Sequence, residues 1–433
     1  MSTHYKKIIW FIVAISFIAS ISYALYFRIQ PIVDARAYDN IALEVLDGKG
    51  YPLNANNRPG PGYPLFLVLI YAVFGHYYPI VWIIQSLLLA GSAFLIFLIT
   101  KEIFLDKWHP IIGLSAAALI GFSPDLITIA SMLMTETLLI FSLIGAILYI
   151  FKYTNTHKSL FLLWGALFLS IAALTRGNMV VIVIPILLFL FWKHGWKPAA
   201  IFFVALVLFL TPWTIKNYFA YHQFMPFNAS PGILYVGNHP GATGELVPDY
   251  PLPSGVTLDM SQIDFDNALG EAGVEYVVSH PLEFTKLTFW RTSIYFSFVR
   301  PFAFWPHLDG FSRLATIVLS SAYSLLVFIL GFLGTVASLR KRVDEKIKSN
   351  LWLLFWIMLA MPLAIVALVV ETRYRFPIYP LLAVFGGYGI WLIASNWRQT
   401  VKPLVITAAI LGANTVFDII RNWQRILDKI NHI

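Results

Sequence analysis

Ile8-Ile-Trp-Phe-Ile-Val-Ala-Ile-Ser-Phe-Ile-Ala-Ser-Ile-Ser-Tyr-Ala-Leu-Tyr-Phe27, followed a few positions on by Asp34-Ala-Arg-Ala-Tyr38, is the stretch that decides the class of this chain. Its first part is an apolar run of about 20 residues without a charge, and at ~1.5 Å rise per residue a helix of that length crosses the hydrocarbon core of a bilayer. Its second part places charge directly behind the run. An ionised side chain at the bilayer centre costs about 2.5–3.5 kcal/mol on insertion scales, so charges at span ends face water, a partner or a substrate. Together with the basic segment Met1 to Lys7 the run has the outline of a signal peptide. No small-residue cleavage site follows it, however, and it reads as an uncleaved first helix with a cytoplasmic N-terminus.

The pattern continues along all 433 residues, 59% of them hydrophobic and 12% charged. Soluble domains average about 25% charged residues, so the chain is an all-α polytopic membrane protein. Hydropathy places spans near 8–27, 78–100, 110–123, 134–151, 159–175, 177–192, 198–217, 314–338, 351–370, 376–395 and 401–417, about 11 transmembrane helices with 10–13 as the range. With the N-terminus inside, the inner loops carry Lys101, Lys107, Lys152, Lys158, Lys193, Lys197, Arg340-Lys341-Arg342, Lys346, Lys348, Arg398 and Lys402, as the positive-inside rule asks. The net charge of +8 is thereby explained by the membrane, and nucleic acid is excluded as a partner. With no Cys there is neither a disulfide framework nor a thiolate metal site.

The segment from Arg58 to Gly75 is apolar but opens with Pro59, Pro61 and Pro64, which predicts a juxtamembrane or re-entrant helix rather than a span. The resulting organisation is one membrane-embedded domain, 1–417. A first external loop at 28–77 and an extracytoplasmic cap at 218–313 project from it, and an amphipathic tail at 418–433 follows it. The membrane expected is the bacterial inner (plasma) membrane.

Asp34, Arg36, Arg58, Glu136, Arg176, Lys216, Glu371, Arg373 and Arg375 all fall on the outer side of this topology. A single basic residue at a span end ordinarily snorkels to headgroups. A set in which acids and bases alternate can close into one cavity, and guanidinium forks suit a phosphate or diphosphate. Transport and group transfer both fit such a cavity, as does an inactive partner that only binds its ligand. Asp34 follows a helix end, where aspartate is also a common cap. Asp39 is expected to be solvated. His239 lies in a Gly-rich loop with no partner at metal-ligand spacing and is expected to be an exposed turn residue. The aromatic stretch Trp290, Tyr295, Phe296, Phe298, Phe302, Phe304 and Trp305 has the composition of an interfacial belt and equally suits sugar stacking.

Several motifs recur in order. They are Asp34-Ala-Arg-Ala-Tyr38 with Ala42 and Leu46-Asp-Gly-Lys-Gly50; Arg58-Pro-Gly-Pro-Gly-Tyr-Pro64 leading to Phe74-Gly75; and Thr135-Glu136 with Leu174-Thr-Arg-Gly177. Further on come Thr211-Pro-Trp-Thr-Ile-Lys-Asn-Tyr218, Gly237-Asn-His-Pro-Gly-Ala-Thr-Gly244 and Arg373-Tyr-Arg-Phe-Pro-Ile-Tyr-Pro380. The ordered set resembles GT-C superfamily glycosyltransferases of the protein O-mannosyltransferase and lipid A aminoarabinose-transferase type, which use polyprenyl-phosphate sugars. The resemblance implies a GT-C fold and an inverting transfer to a hydroxyl-bearing glycan, lipid or protein acceptor on the extracytoplasmic face. It implies Asp34 as catalytic base or acceptor-orienting group. Arg58, Arg176, Arg373 and Arg375 are implied at the donor phosphate, with Glu136, Tyr38 and Tyr63 as further substrate contacts. Glu136 equally suits a purely structural ion pair. Many relatives carry a second acid after the aspartate where this chain has Ala35. No cofactor is required by the sequence, and whether a divalent cation takes part is left open.

Overall fold

The computed structural model describes all residues except 1–2, 52–59, 223, 228–229, 247–249, 300–306, 341–343 and 425–433. The described residues are helical, without a β-strand, and their one isolated bridge pairs Glu245 with Val370 in parallel. In chain order the helices are α1 (Thr3–Phe27), α2 (Asp34–Leu46), α3 (Gly62–Phe74), α4 (Tyr78–Phe104), α5 (Pro110–Gly121), α6 (Pro124–Ala130), α7 (Glu136–Thr156), α8 (Leu160–Thr175) and α9 (Val183–His194). They continue as α10 (Trp196–Tyr221), α11 (Ile233–Gly237), α12 (Gln262–Ser279), α13 (Pro281–Phe296), α14 (Gly310–Arg340), α15 (Glu345–Val366), α16 (Tyr379–Ser395) and α17 (Trp397–Arg421). Tight 3-10 turns lead into α9 (Gly177–Ile182) and α16 (Thr372–Ile378).

Each of the eleven apolar segments has a helical counterpart, and nine of these among the described residues are long and apolar enough to cross a bilayer. The two others differ from expectation for local reasons. The segment at 110–123 continues as two helices, α5 and α6, bent by 51°. Pro124 cannot extend α5, and the Ser123 hydroxyl accepts from the Leu126 amide to start α6 afresh. The segment at 159–175 is the 16-residue helix α8. The Pro-rich segment gives the short helix α3, which starts behind Pro61 and stops at Gly75, whose φ of 76° is the left-handed geometry favoured after a helix C-terminus.

Small residues let the helices approach closely. Gly331 and Gly334 of α14 lie against the backbone of Leu382 and Phe385 in α16, and Gly387 lies on the Ile112 carbonyl of α5. A bilayer gives little hydrophobic drive between helices, so such backbone contact is a main source of their association. Helices α4 and α5 run antiparallel, Phe97 facing Gly113 and Ala93 facing Gly121, as do α7 and α8, with Gly145 on Phe168. The loops that carry the basic residues therefore gather at one end of the bundle. The C-terminus of α1, the N-terminus of α7, the C-terminus of α8 and the turn before α16 gather at the other.

The cap helices α12 and α13 sit at that second end. α17 runs up to them without a break at 417: Asn414 donates to the Ser293 carbonyl, and Asp418 is buried, accepting from Asn422. The amphipathic tail expected from 418 thus begins inside α17, and its 425–433 portion lies outside the described residues.

Candidate active site

Four chain segments deliver their charges to one place. Arg373, in the turn before α16, donates from Nη2 to Asp34 Oδ2 at 2.7 Å and from Nε to Glu371 Oε2 at 2.7 Å. One guanidinium therefore holds two carboxylates, using the fork geometry that sets Arg apart from Lys. Beside it, Arg176 Nη2 donates to Glu136 Oε1 at 2.8 Å and lies 3.4 Å from the Thr135 hydroxyl. The Tyr374 ring joins the two pairs, with Arg176 at 4.9 Å and Arg373 at 5.9 Å from its centroid. Tyr38 stands one helical turn beyond Asp34, and its phenol is pushed above its ordinary pKa by burial and then by the nearby Asp34 and Glu136 carboxylates. Glu136 is fully buried, whereas Asp34 and Glu371 remain partly open to solvent.

The glycine-proline motif explains how Arg176 reaches this place. A side chain at Gly62 would sit 2.6 Å from the Thr175 amide nitrogen, and one at Gly60 would sit 2.9 Å from the Thr175 carbonyl oxygen. The start of α3 is thus laid backbone to backbone on the end of α8, immediately before Arg176. Gly62→Ala is expected to force these segments apart and lower unfolding stability by about 1–3 kcal/mol, the usual cost of overpacking. Thermal unfolding in detergent checks this, with Gly412→Ala, where the added methyl meets nothing within 4 Å, expected to be neutral or better.

Residues 57–215 match the family model described as dolichyl-phosphate-mannose-protein mannosyltransferase. Most of the chain overlays the oligosaccharyltransferase of Archaeoglobus fulgidus crystallised with Zn and sulfate, at a TM-score of 0.55 and 14% identity over 95% of this chain and 52% of that one. The chain has the GT-C fold. The archaeal oligosaccharyltransferase AglB in complex with an inhibitory peptide and a dolichol-phosphate overlays with a TM-score of 0.52 at 13% identity, over 98% of this chain and 56% of that one. ArnT from Cupriavidus metallidurans bound to undecaprenyl phosphate gives 0.40 at 15% identity, over 94% of this chain and 77% of that one. The chain spans about half the length of the oligosaccharyltransferases it overlays. Comparison with curated proteins gives no match.

Of the residues expected from the sequence to form the site, Asp34, Glu136, Arg176, Arg373 and Tyr38 come together. Tyr63 is fully buried, its ring edge on Tyr38 at 5.4 Å and its hydroxyl donating to Gln85 Oε1 at 2.9 Å, so it supports Tyr38 from behind. Arg58 lies outside the described residues. Arg375 is not brought to the cluster. In a 3-10 turn successive residues rotate by about 120°, so positions 373 and 375 face different sides. Arg375 is buried, donating to the Ser297 carbonyl and to Ser324 Oγ at 3.1 Å, with its guanidinium over Phe328. The Tyr379 hydroxyl lies 3.1 Å from Ser324 and donates to Asp125 Oδ2 at 3.3 Å, and Ser320 also donates to Asp125. This polar network ties α6, α13, α14 and α16 together.

Three outer-face residues depart from expectation. Asp39 is buried and accepts from Tyr71 at 2.7 Å and Tyr78 at 2.7 Å, with His76 Nε2 at 3.0 Å, which staples α2 to the α3–α4 turn. His239 is buried between Tyr235 and Tyr250 rather than exposed. Lys216 lies over the rings of Tyr51 and Trp213 instead of joining the carboxylates. Within the aromatic stretch, Tyr295 is buried, Phe296 packs on Phe328 and Phe332, and Trp290 stacks with Arg421 at 3.9 Å; residues 302, 304 and 305 are outside the described set. Among the described residues no group of three or more His, Cys, Asp or Glu side chains is arranged to hold a metal ion.

Proposed function

We propose that this protein is an inverting glycosyltransferase that moves a sugar from a polyprenyl-phosphate donor to a hydroxyl acceptor. The acceptor is a glycolipid, lipid A, a cell-wall polysaccharide or a protein. The observation that carries the proposal is Arg373 holding Asp34 and Glu371 at a partly open end of the bundle, beside the Arg176–Glu136 pair. In the reaction, the acceptor oxygen attacks the anomeric carbon from the face opposite the phosphate. The bond from carbon to phosphate oxygen breaks, the phosphate leaves with the electron pair, and Asp34 takes the hydroxyl proton as the new bond forms. Negative charge grows on the leaving phosphate, so the fixed guanidiniums of Arg176 and Arg373 stabilise the transition state more than the bound donor, a role the sequence also gives to Arg58. Glu371 keeps Arg373 aimed when a substrate hydroxyl competes for Asp34. The dolichol-phosphate bound by the archaeal enzyme supports a lipid phosphate as the donor's carrier.

The site is read as extracytoplasmic, in a bacterial inner membrane with the N-terminus inside. The support is charge: Lys101, Lys152, Lys193, Lys346 and Arg398 sit at the opposite end of the helices. The test is a donor screen with the protein in nanodiscs, a panel of polyprenyl-phosphate sugars and a broad acceptor extract, read by mass spectrometry. Release of polyprenyl phosphate together with a glycosylated product is the expected result. Binding or flipping of a lipid-linked sugar with no bond cleaved would replace transfer by transport.

A further inference from the structure

Arg291 of α13 is fully buried, yet it lies outside the charge cluster and pairs with no carboxylate among the described residues. Its guanidinium is used on backbone. Nη1 donates to the carbonyls of Val366 and Ala367, each at 3.2 Å, and Nη2 donates to the Gly237 carbonyl and, at 3.0 Å, to Asn238 Oδ1. Asn238 in turn donates from Nδ2 to the Ala367 carbonyl at 3.1 Å. Gly237 lies directly on the Leu368 carbonyl, leaving no room for a Cβ, and two residues beyond Leu368 the Glu245–Val370 bridge closes the other edge. Arg291 thus joins the cap turn 237–245 to the segment 366–370, which leaves the end of α15. The next residues along the chain are Glu371 and Arg373.

A buried guanidinium is a costly group to leave unsatisfied, and an Arg that spans two loops with both nitrogens fixes their separation more tightly than a neutral contact would. Burial lowers its pKa only to about 10, so it stays charged at neutral pH. Resting on the transferase reading above, we propose that Arg291 is a positioning residue: it pins segment 366–370 to the cap and so holds Arg373 on Asp34. The cap then acts as more than a cover, because displacing its 237–245 turn shifts the guanidinium that grips the base.

The experiment uses the full chain in nanodiscs and compares wild type with Arg291→Lys, Arg291→Met and the milder Asn238→Ala, which keeps the proposal testable should Arg291→Met fail to fold. Two readouts are taken, amide hydrogen exchange and steady-state release of polyprenyl phosphate. In the Arg291 variants exchange is expected to rise about tenfold in peptides covering 366–373 and also in those covering 32–38, on the far side of the Arg373–Asp34 pair. α7 and α16 should keep their protection. kcat should fall about tenfold with little change in KM, and Lys should recover only part of it because one ammonium cannot reach both loops. Faster exchange at 366–373 with 32–38 unchanged would overturn the positioning role, as would unchanged kcat. If wild type turns over no donor, the transferase reading fails, while the exchange at 32–38 still decides whether Arg291 holds the pair.

Discussion

Asp34→Asn is expected to slow sugar transfer by about 10²–10⁴-fold, the contribution of a positioned general base, while leaving the protein folded. Two magnitudes separate these outcomes. The rate loss corresponds to about 2.7–5.5 kcal/mol of barrier. The Asp34–Arg373 pair, with side chains 28% and 16% exposed, is screened by solvent and contributes at most about 1 kcal/mol to stability. Arg373 also keeps its second carboxylate, Glu371, at 2.7 Å, so its guanidinium stays paired within the turn before α16. Glu371→Gln is the informative comparison, because it removes the same charge from the same guanidinium and leaves the base in place. It is expected to cost no more than about tenfold in rate. Initial rates of polyprenyl phosphate release, paired with thermal midpoints, decide the matter. Equal losses in the two variants would mean that net charge at the site matters and the position of Asp34 does not.

The parts of this site that were legible in the sequence share one property: they are polar residues placed by hydropathy at the end of an apolar run. Asp34, Glu136, Arg176 and Arg373 each border a helix that a window of apolar residues reveals, and alternating span direction sends all four to one end. Arg375 satisfied the same rule and went elsewhere, because the backbone there is a 3-10 turn and a two-residue offset changes the side on which a residue points. Asp39 and Arg291 were beyond such reading for a different reason. A buried charge is defined by its partners, and those of Asp39 lie 32 to 39 positions away while those of Arg291 lie 53 to 76 positions away. Hydropathy contains no term for such pairings. The bend between α5 and α6 did carry a local signal, Ser123-Pro124, a cap followed by a residue that cannot continue a helix. It was masked by the apolar residues on either side, which read as one span.

Arg176→Ala is expected to act on folding before it acts on catalysis. Its partner Glu136 is 0% exposed, and removing one member of a buried ion pair leaves the other charge without compensation, at a cost of about 3–5 kcal/mol. Two features soften the loss. Glu136 is the first residue of α7, where the helix dipole favours an anion by about 0.3–1 kcal/mol, and Thr135 donates to its Oε2 at 3.2 Å. The expected loss therefore lies at the lower end of that range. The double variant Arg176→Ala/Glu136→Gln removes the stranded charge and should recover most of the stability, a coupling that two independent sites would not show. Chemical denaturation in detergent measures the cycle. If Arg176→Ala instead costs less than about 1 kcal/mol while donor affinity falls, Glu136 has no need of its partner, and Arg176 is held in place chiefly to meet the phosphate. If stability falls and the double variant restores it without restoring transfer, Arg176 serves both, the buried carboxylate holding the guanidinium where the leaving group will be.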